Sequence, residues 1–244
     1  LWSLGSPLFW AQAILPAANC GGCGFAGCRN FAEALVAAET FEGLNCPVGG
    51  STVMDIAAGI LGRAPVAADP MVALLLCNGK PEFRPYTSFY NGAADCRIQH
   101  SLYIGETDCS YGCLGNGDCV MVCRFGAMYM DTVTKLPVIV DEKCTACGAC
   151  IKACPRKLIE LRKKAKKERK IYVACSNRDK GGPARKACKV ACIACGKCFK
   201  VCDFDAIVIE NNLAYIDAIK CTFCRKCASE CPTNSIIEFN FPLK

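Results

Sequence analysis

Twice in this 244-residue chain, four cysteines spaced C-x2-C-x2-C-x3-C run straight into a proline. They are Cys144, Cys147, Cys150 and Cys154 before Pro155, and Cys221, Cys224, Cys227 and Cys231 before Pro232. Thiols packed this tightly make poor long-range crosslinks and good ligands of a shared metal centre. The spacing is that of the bacterial ferredoxin run, in which three cysteines wrap one [4Fe–4S] cube and the fourth ligates its neighbour. Cys192, Cys195, Cys198 and Cys202 repeat the spacing with Asp203 in place of proline. Cys109, Cys113, Cys119 and Cys123 form a looser version followed by Arg124, and the glycines of YGCLGNGDC let its extra residues loop out.

Crossed ligation then predicts four clusters. Cys109, Cys113 and Cys119 pair with Cys154, and Cys144, Cys147 and Cys150 with Cys123. In the second half Cys192, Cys195 and Cys198 pair with Cys231, and Cys221, Cys224 and Cys227 with Cys202. Zinc favours two separated C-x2-C pairs over such runs. A different tetrad, Cys20, Cys23, Cys28 and Cys46, sits among glycines that let backbone amides approach a cluster, with a zinc site as the alternative. Cys77, Cys96, Cys175 and Cys188 are left over. They are expected to close one more cubane across the chain, the alternative being free thiols. The expectation is six [4Fe–4S] clusters, at least four of which follow from the runs.

Composition agrees. The 24 cysteines imply a reducing compartment, where they escape oxidation to disulfides. Without them the hydrophobic fraction falls from 52% to about 42%, so the clusters stand in for part of the core. The formal charge of +7 suggests nucleic-acid binding, but six four-cysteine clusters would add about −12 and remove that case. His100 is the only histidine, which excludes two-cysteine, two-histidine zinc fingers and Rieske centres, and it is expected at the surface or in a loop. No Rossmann, Walker or flavin motif occurs, so no complete site for NAD is expected in this chain.

The expected fold class is α+β: a small helical [4Fe–4S] domain followed by two tandem ferredoxin-like dicluster units with short β-hairpins and helices. Residues 1–18 are an uncharged apolar stub, shorter than the ~20 residues of a membrane span, and read equally as the end of a membrane anchor or as a packed arm. Residues 19–64 are the N-terminal cluster domain. There Cys28, Phe31, Leu35, Val36 and Ala38 have helical spacing, and a second helix starts near Ser51, where Thr52 and Asp55 resemble a capping box. Residues 109–170 and 192–240 are the dicluster units, each with a strand–turn–strand segment between two cysteine runs. Residues 71–108 and 171–191 together close the possible extra site. The basic stretch LRKKAKKERK, Leu161–Lys170, is expected to extend a helix after Pro155, as a solvated face or as a docking patch for an acidic carrier or anionic lipid.

LPAANCGGCGFAGCRNFAEA followed by NCPVGG resembles the N-terminal cluster domain of the B subunit of the Rnf complex. CSYGCLGNGDCVMVC, CTACGACIKACP, ACSNRDKGGPARKACKVACIACGKC and NNLAYIDAIKCTFCRKCASECPT resemble its polyferredoxin region, so that the resemblance runs from Leu15 to Ile237. It implies an electron-transfer subunit of a membrane-bound, ion-translocating ferredoxin:NAD oxidoreductase, on the cytoplasmic side of the bacterial cell membrane. Ferredoxin and the complex's membrane subunits are the implied partners. Arg124 and Asp203 depart from the proline common after the fourth cysteine, which should tune potential and packing. The rival reading is a soluble polyferredoxin serving a hydrogenase or a carbon-monoxide or corrinoid enzyme.

Overall fold

Ser6 and Pro7 start the first helix, α1 (Pro7–Ala13): the Ser6 hydroxyl accepts from Phe9 N at 3.2 Å, and proline suits a position whose N–H would be an orphan. This is a computed structural model, and it describes residues 5–67 and 69–242. The first four residues of the apolar stub therefore lie outside the described residues. The remainder of the stub is a packed arm. Ala11 and Leu15 are buried against α2 (Cys28–Ala37) and α3 (Gly50–Leu61). The apolar stripe Phe31, Ala32 and Leu35 of α2 meets Met54, Ala57 and Ala58 of α3, with Phe41 closing the core. Helix α3 has no side-chain cap, so the expected Thr52–Asp55 box does not form. Among the described residues no helix is long and apolar enough to cross a membrane.

The rest of the chain is built twice from the same parts. The first copy comprises β1 (Met71–Leu75), α4 (Cys96–Leu102), α5 (Asp118–Met121), β2 (Met128–Met130), β3 (Pro137–Ile139), α6 (Ala149–Ala153) and β4 (Ile159–Lys163). A 3-10 turn, Lys166–Glu168, leads to the second: β5 (Lys170–Val173), α7 (Gly181–Ala187), α8 (Lys197–Lys200), β6 (Ile207–Glu210), β7 (Leu213–Ile216), α9 (Lys226–Ser229) and β8 (Ile236–Phe239). Each copy holds two antiparallel pairs. The hairpins β2–β3 and β6–β7 are those expected from the alternating segments. The pairs β1–β4 and β5–β8 join the first and last strand of each copy.

The basic stretch is not a helix. Its two ends are the strands β4 and β5, and most of its cations are used inside the fold. Arg162 is buried, paired with Glu160, with its guanidinium 5.9 Å from the Tyr172 ring centre and 5.0 Å from that of Tyr215. Lys163 pairs with Asp69 at 2.7 Å, while Lys164 reaches the Asp141 carbonyl at 2.8 Å. Lys170 Nζ binds the buried Asp141 carboxylate at 2.5 Å. The expected helix gives way to strands because Ile159, Leu161 and Ile171 pair with β1 and β8 beneath the charge.

Candidate iron–sulfur sites

In the C-x2-C-x2-C runs the backbone turns left-handed at alternate residues: Ala146 and Gly148 (φ 56° and 75°), Ala194 and Gly196 (51° and 77°), Phe223 and Arg225 (60° and 70°). Each such non-glycine residue is disfavoured by about 1–2 kcal/mol, so the repetition marks a conformation held for a purpose. It curls three cysteines around a common point and starts the short helices α6, α8 and α9 at the residue just before the third cysteine of each run.

The second copy brings together both expected crossed sets. Cys192, Cys195, Cys198 and Cys231 line one cavity of about 350 Å³, mouth included. Cys202, Cys221, Cys224 and Cys227 line another of about 310 Å³. Burial pushes the Cys227 thiol up to about 12, helped by Cys221 and Cys198; burial and Cys192 push Cys198 up to about 11. Cys195 and Cys224 are the two exposed cysteines of the chain.

In the first copy, Cys144, Cys147 and Cys150 lie together, burial and the first two thiols pushing Cys150 up to about 11. Cys123, Cys144 and Cys150 pack in one cluster. The other expected set is not the group that the structure brings together around one cavity. Cys96, not Cys109, lines a cavity of about 410 Å³ with Cys113, Cys119 and Cys154. Burial first, then Cys154 and Cys96, push the Cys119 thiol up to about 12. The cause is a buried carboxylate. Asp118 accepts from Cys96 N at 2.9 and 3.1 Å, Asp95 caps α4 at Arg97 N and Ile98 N, and Asn116 Nδ2 donates to the buried Gln99 at 2.7 Å. Together they pin the start of α4 onto the Cys113–Cys119 loop. His100 is exposed on this helix.

Cys109 instead joins the remaining three. Its sulfur accepts from Asn177 Nδ2 at 3.6 Å, and the Cys188 thiol, raised by burial, is raised further by Cys109 and Cys77. Burial pushes Cys175 up to about 12, with Cys192 and Cys77 adding to it. The two copies meet here reciprocally: Asn78 N donates to Ala174 O at 3.0 Å, and the Ser176 hydroxyl donates to Leu76 O at 3.0 Å. A signal for this exchange is present in the sequence. C-x3-C-x5-C-x3-C occurs at Cys109, Cys113, Cys119, Cys123 and again at Cys188, Cys192, Cys198, Cys202. In that register Cys109 matches Cys188, and Asn116 stands where the other copy has Cys195.

In the N-terminal domain Cys46 lies beside Cys23 and Cys28, raised chiefly by burial, and the loop opened by Cys20 abuts the first copy. A Cβ on Gly22 would stand 2.9 Å from the Cys147 Cα and carbonyl oxygen, so only glycine allows this approach. Arg124 donates to the Ala18 carbonyl at 3.2 Å across the same junction, and Asp203 pairs with Lys226 at 2.5 Å. Those are the contacts made by the two residues in the proline position.

The donor sets fit [4Fe–4S] clusters. No disulfide pairs these thiols. Among the described residues no three Cys, His, Asp or Glu side chains converge on a point fit for one ion. Backbone N–H groups aim at the sulfurs: Leu158 N at Cys154 (3.4 Å) and Ser235 N at Cys231 (3.3 Å) in matching positions, Gly49 N at Cys46 (3.3 Å), Ala214 N at Cys192 (3.5 Å). Hydrogen bonds to sulfur of this kind set cluster potentials.

Comparison with known proteins agrees with this chemistry. Residues 15–48 match the family described as "Putative Fe-S cluster", and residues 108–158 and 191–235 match the "4Fe-4S dicluster domain". The chain is 43% identical over 92% of its length to the B subunit of the Na(+)-translocating ferredoxin:NAD(+) oxidoreductase complex of Acetobacterium woodii, spanning 66% of that protein. It is 39% identical over 92% to the B subunit of the ion-translocating oxidoreductase complex of Methanosarcina acetivorans, spanning 83% of it. To the B subunit of the proton-translocating ferredoxin:NAD(+) oxidoreductase complex of Clostridium ljungdahlii it is 41% identical over 92%, spanning 78% of it.

Proposed function

We propose that this chain, which belongs to the B-subunit family of the ion-translocating oxidoreductase complexes, relays electrons along six [4Fe–4S] sites arranged in one line. The proposed ligand sets are Cys221, Cys224, Cys227 with Cys202; Cys192, Cys195, Cys198 with Cys231; Cys77, Cys109, Cys175, Cys188; Cys96, Cys113, Cys119, Cys154; Cys144, Cys147, Cys150 with Cys123; and Cys20, Cys23, Cys28, Cys46. One-electron transfer without bond-making at the protein is the chemistry such clusters supply when bound.

The observation that carries the reading is the unbroken contact from set to set. Cys227 lies beside Cys198. Cys175 Sγ accepts from Cys192 N at 3.3 Å, and Cys77 Sγ accepts from Cys113 N at 3.5 Å. Cys119 lies beside Cys150, and Gly22 lies against Cys147. The exposed Cys195 and Cys224 mark the receiving end, where a small reduced carrier of the ferredoxin class can come close. The N-terminal set marks the delivering end, turned toward membrane subunits on the cytoplasmic face. NAD is reduced elsewhere in the complex, and ion movement belongs to the membrane partners.

Replacing Cys20, Cys23, Cys28 and Cys46 together by alanine tests this order. Reduced ferredoxin should still bleach the visible absorbance of the variant, while electron delivery to the membrane subunits fails. Normal delivery would refute the assignment of the N-terminal set as the outlet.

A further inference from the structure

Arg84 and Arg156 stand where the Cys77 set meets the Cys96 set, and neither has a carboxylate partner. No ion pair of either is found among the described residues. Arg84 Nη2 donates to the Cys113 carbonyl at 2.6 Å. Arg156 donates from Nη1 to the carbonyls of Gly112 at 2.5 Å and Cys109 at 3.4 Å, and from Nη2 to that of Ile104. Every acceptor is a neutral backbone oxygen, and two of them belong to cysteines of the two sets. The Nε atoms of both arginines are buried without a partner.

The two guanidiniums also face each other. Burial and the neighbouring Arg84 hold Arg156 below the usual arginine range, and Cys109, Cys113 and Cys77 pull the other way. Room for Arg84 is made by glycine: a Cβ on Gly112 would fall 1.9 Å from Nη1, and one on Gly79 3.1 Å from Nε. Placing two like charges side by side, largely out of water and without an anion, is strongly unfavourable unless something else answers them. Three cations near the second copy's cysteines are by contrast answered by carboxylates: Arg162 pairs with Glu160, Arg225 with Glu238 and Lys226 with Asp203.

A four-cysteine cubane is a net dianion and becomes more negative on reduction, so an uncompensated cation beside it stabilises the reduced state. We propose that Arg84 and Arg156 are the counter-ions of the Cys77 and Cys96 sets and raise their reduction potentials above those of the two sets in the second copy. This rests on the ligand grouping proposed above. It makes the middle of the line the place where an electron rests.

The test is redox-titrated EPR on the iron-loaded full chain with Arg84→Gln, Arg156→Gln and the corresponding lysine variants. Glutamine keeps hydrogen-bond donors and removes the charge. At a poise fixed on the wild-type midpoint, the oxidised-to-reduced ratio of two clusters should rise about tenfold in each glutamine variant. That equals about 59 mV for one electron. Signals of the second copy should not move, and lysine should restore the wild-type midpoints. Unchanged midpoints at full iron content overturn the proposal. Iron loss in the glutamine variants but not in the lysine ones supports it, whereas loss in both reduces the arginines to packing and overturns it. A wrong grouping shows itself differently: the shifted signals would then survive Cys188→Ala and Cys119→Ala.

Discussion

Exchange of Cys96 and Cys109 between two sites gives the most decisive expectation, because it turns on which alanine substitutions remove the same cluster. Each four-cysteine site holds four irons, so six sites hold about 24. Two substitutions within one set should together cost no more iron than one of them, while substitutions in separate sets should add. The cavity formed by Cys96, Cys113, Cys119 and Cys154, and the bond from Asp118 to Cys96 N, place Cys96 with Cys119. The Asn177 bond to Cys109 Sγ and the neighbouring Cys188 place Cys109 with Cys188. Hence Cys96→Ala with Cys119→Ala should lower the iron content by about four per chain, and Cys96→Ala with Cys188→Ala by about eight. Ligation by the four-cysteine run alone requires the reverse, about eight and about four. Iron and acid-labile sulfide analysis on anaerobically reconstituted variants reads the difference, and the spin count of the reduced protein repeats it independently. A loss of only four irons in the Cys96–Cys188 double variant would refute the geometry.

Three further outcomes follow from particular contacts. Asn116 occupies the position that Cys195 holds in the second copy, so Asn116→Cys in a Cys96→Ala background should restore about four irons. Gly22→Val drives a branched side chain into the Cys147 backbone and should cost about 1–3 kcal/mol of docking. Iron content would stay complete while electron delivery through the N-terminal set slows, as stopped-flow reduction of the membrane subunits would show. Asp141→Asn leaves the Lys170 ammonium without its carboxylate; with Lys170 18% and Asp141 8% exposed, the loss should be about 2–3 kcal/mol, below that of a fully buried pair. Bleaching of the visible absorbance under a thermal ramp would record it as a lower midpoint.

Legibility of the sequence depended on how local each signal was. Cysteines three residues apart wrap one point whatever the rest of the chain does, so spacing suggested the groups of cysteines that line the two cavities of the second copy. Both hairpins were legible for the same reason, since alternation around Asp131–Lys135 and Asn211–Asn212 is a local pattern. What escaped depends on contacts between distant residues. Cys96 reaches its cavity because Asp118 and Asn116, some twenty residues later, bind the start of its helix. Nothing in the vicinity of Cys96 advertises that. The basic stretch misled in the opposite way: its charges suggested a solvated helix, although Asp141, Asp69 and the rings of Tyr172 and Tyr215 take them up within the fold.

Duplication explains why the proposed central site would take two cysteines from each copy. Cys77 follows β1 as Cys175 follows β5, and Cys109 precedes Cys113 by the interval at which Cys188 precedes Cys192. Two equivalent half-sites facing each other across the reciprocal Asn78–Ala174 and Ser176–Leu76 bonds would complete the one proposed tetrad that neither copy could hold alone. The symmetry fails at a single ligand, where Asn116 replaces a cysteine and Cys96 arrives from α4. It also fails in charge, because Arg84 and Arg156 both lie on the first copy's side. An electron crossing from the second copy therefore meets uncompensated positive charge at the junction, and under the counter-ion proposal it comes to rest there before moving on toward the N-terminal domain.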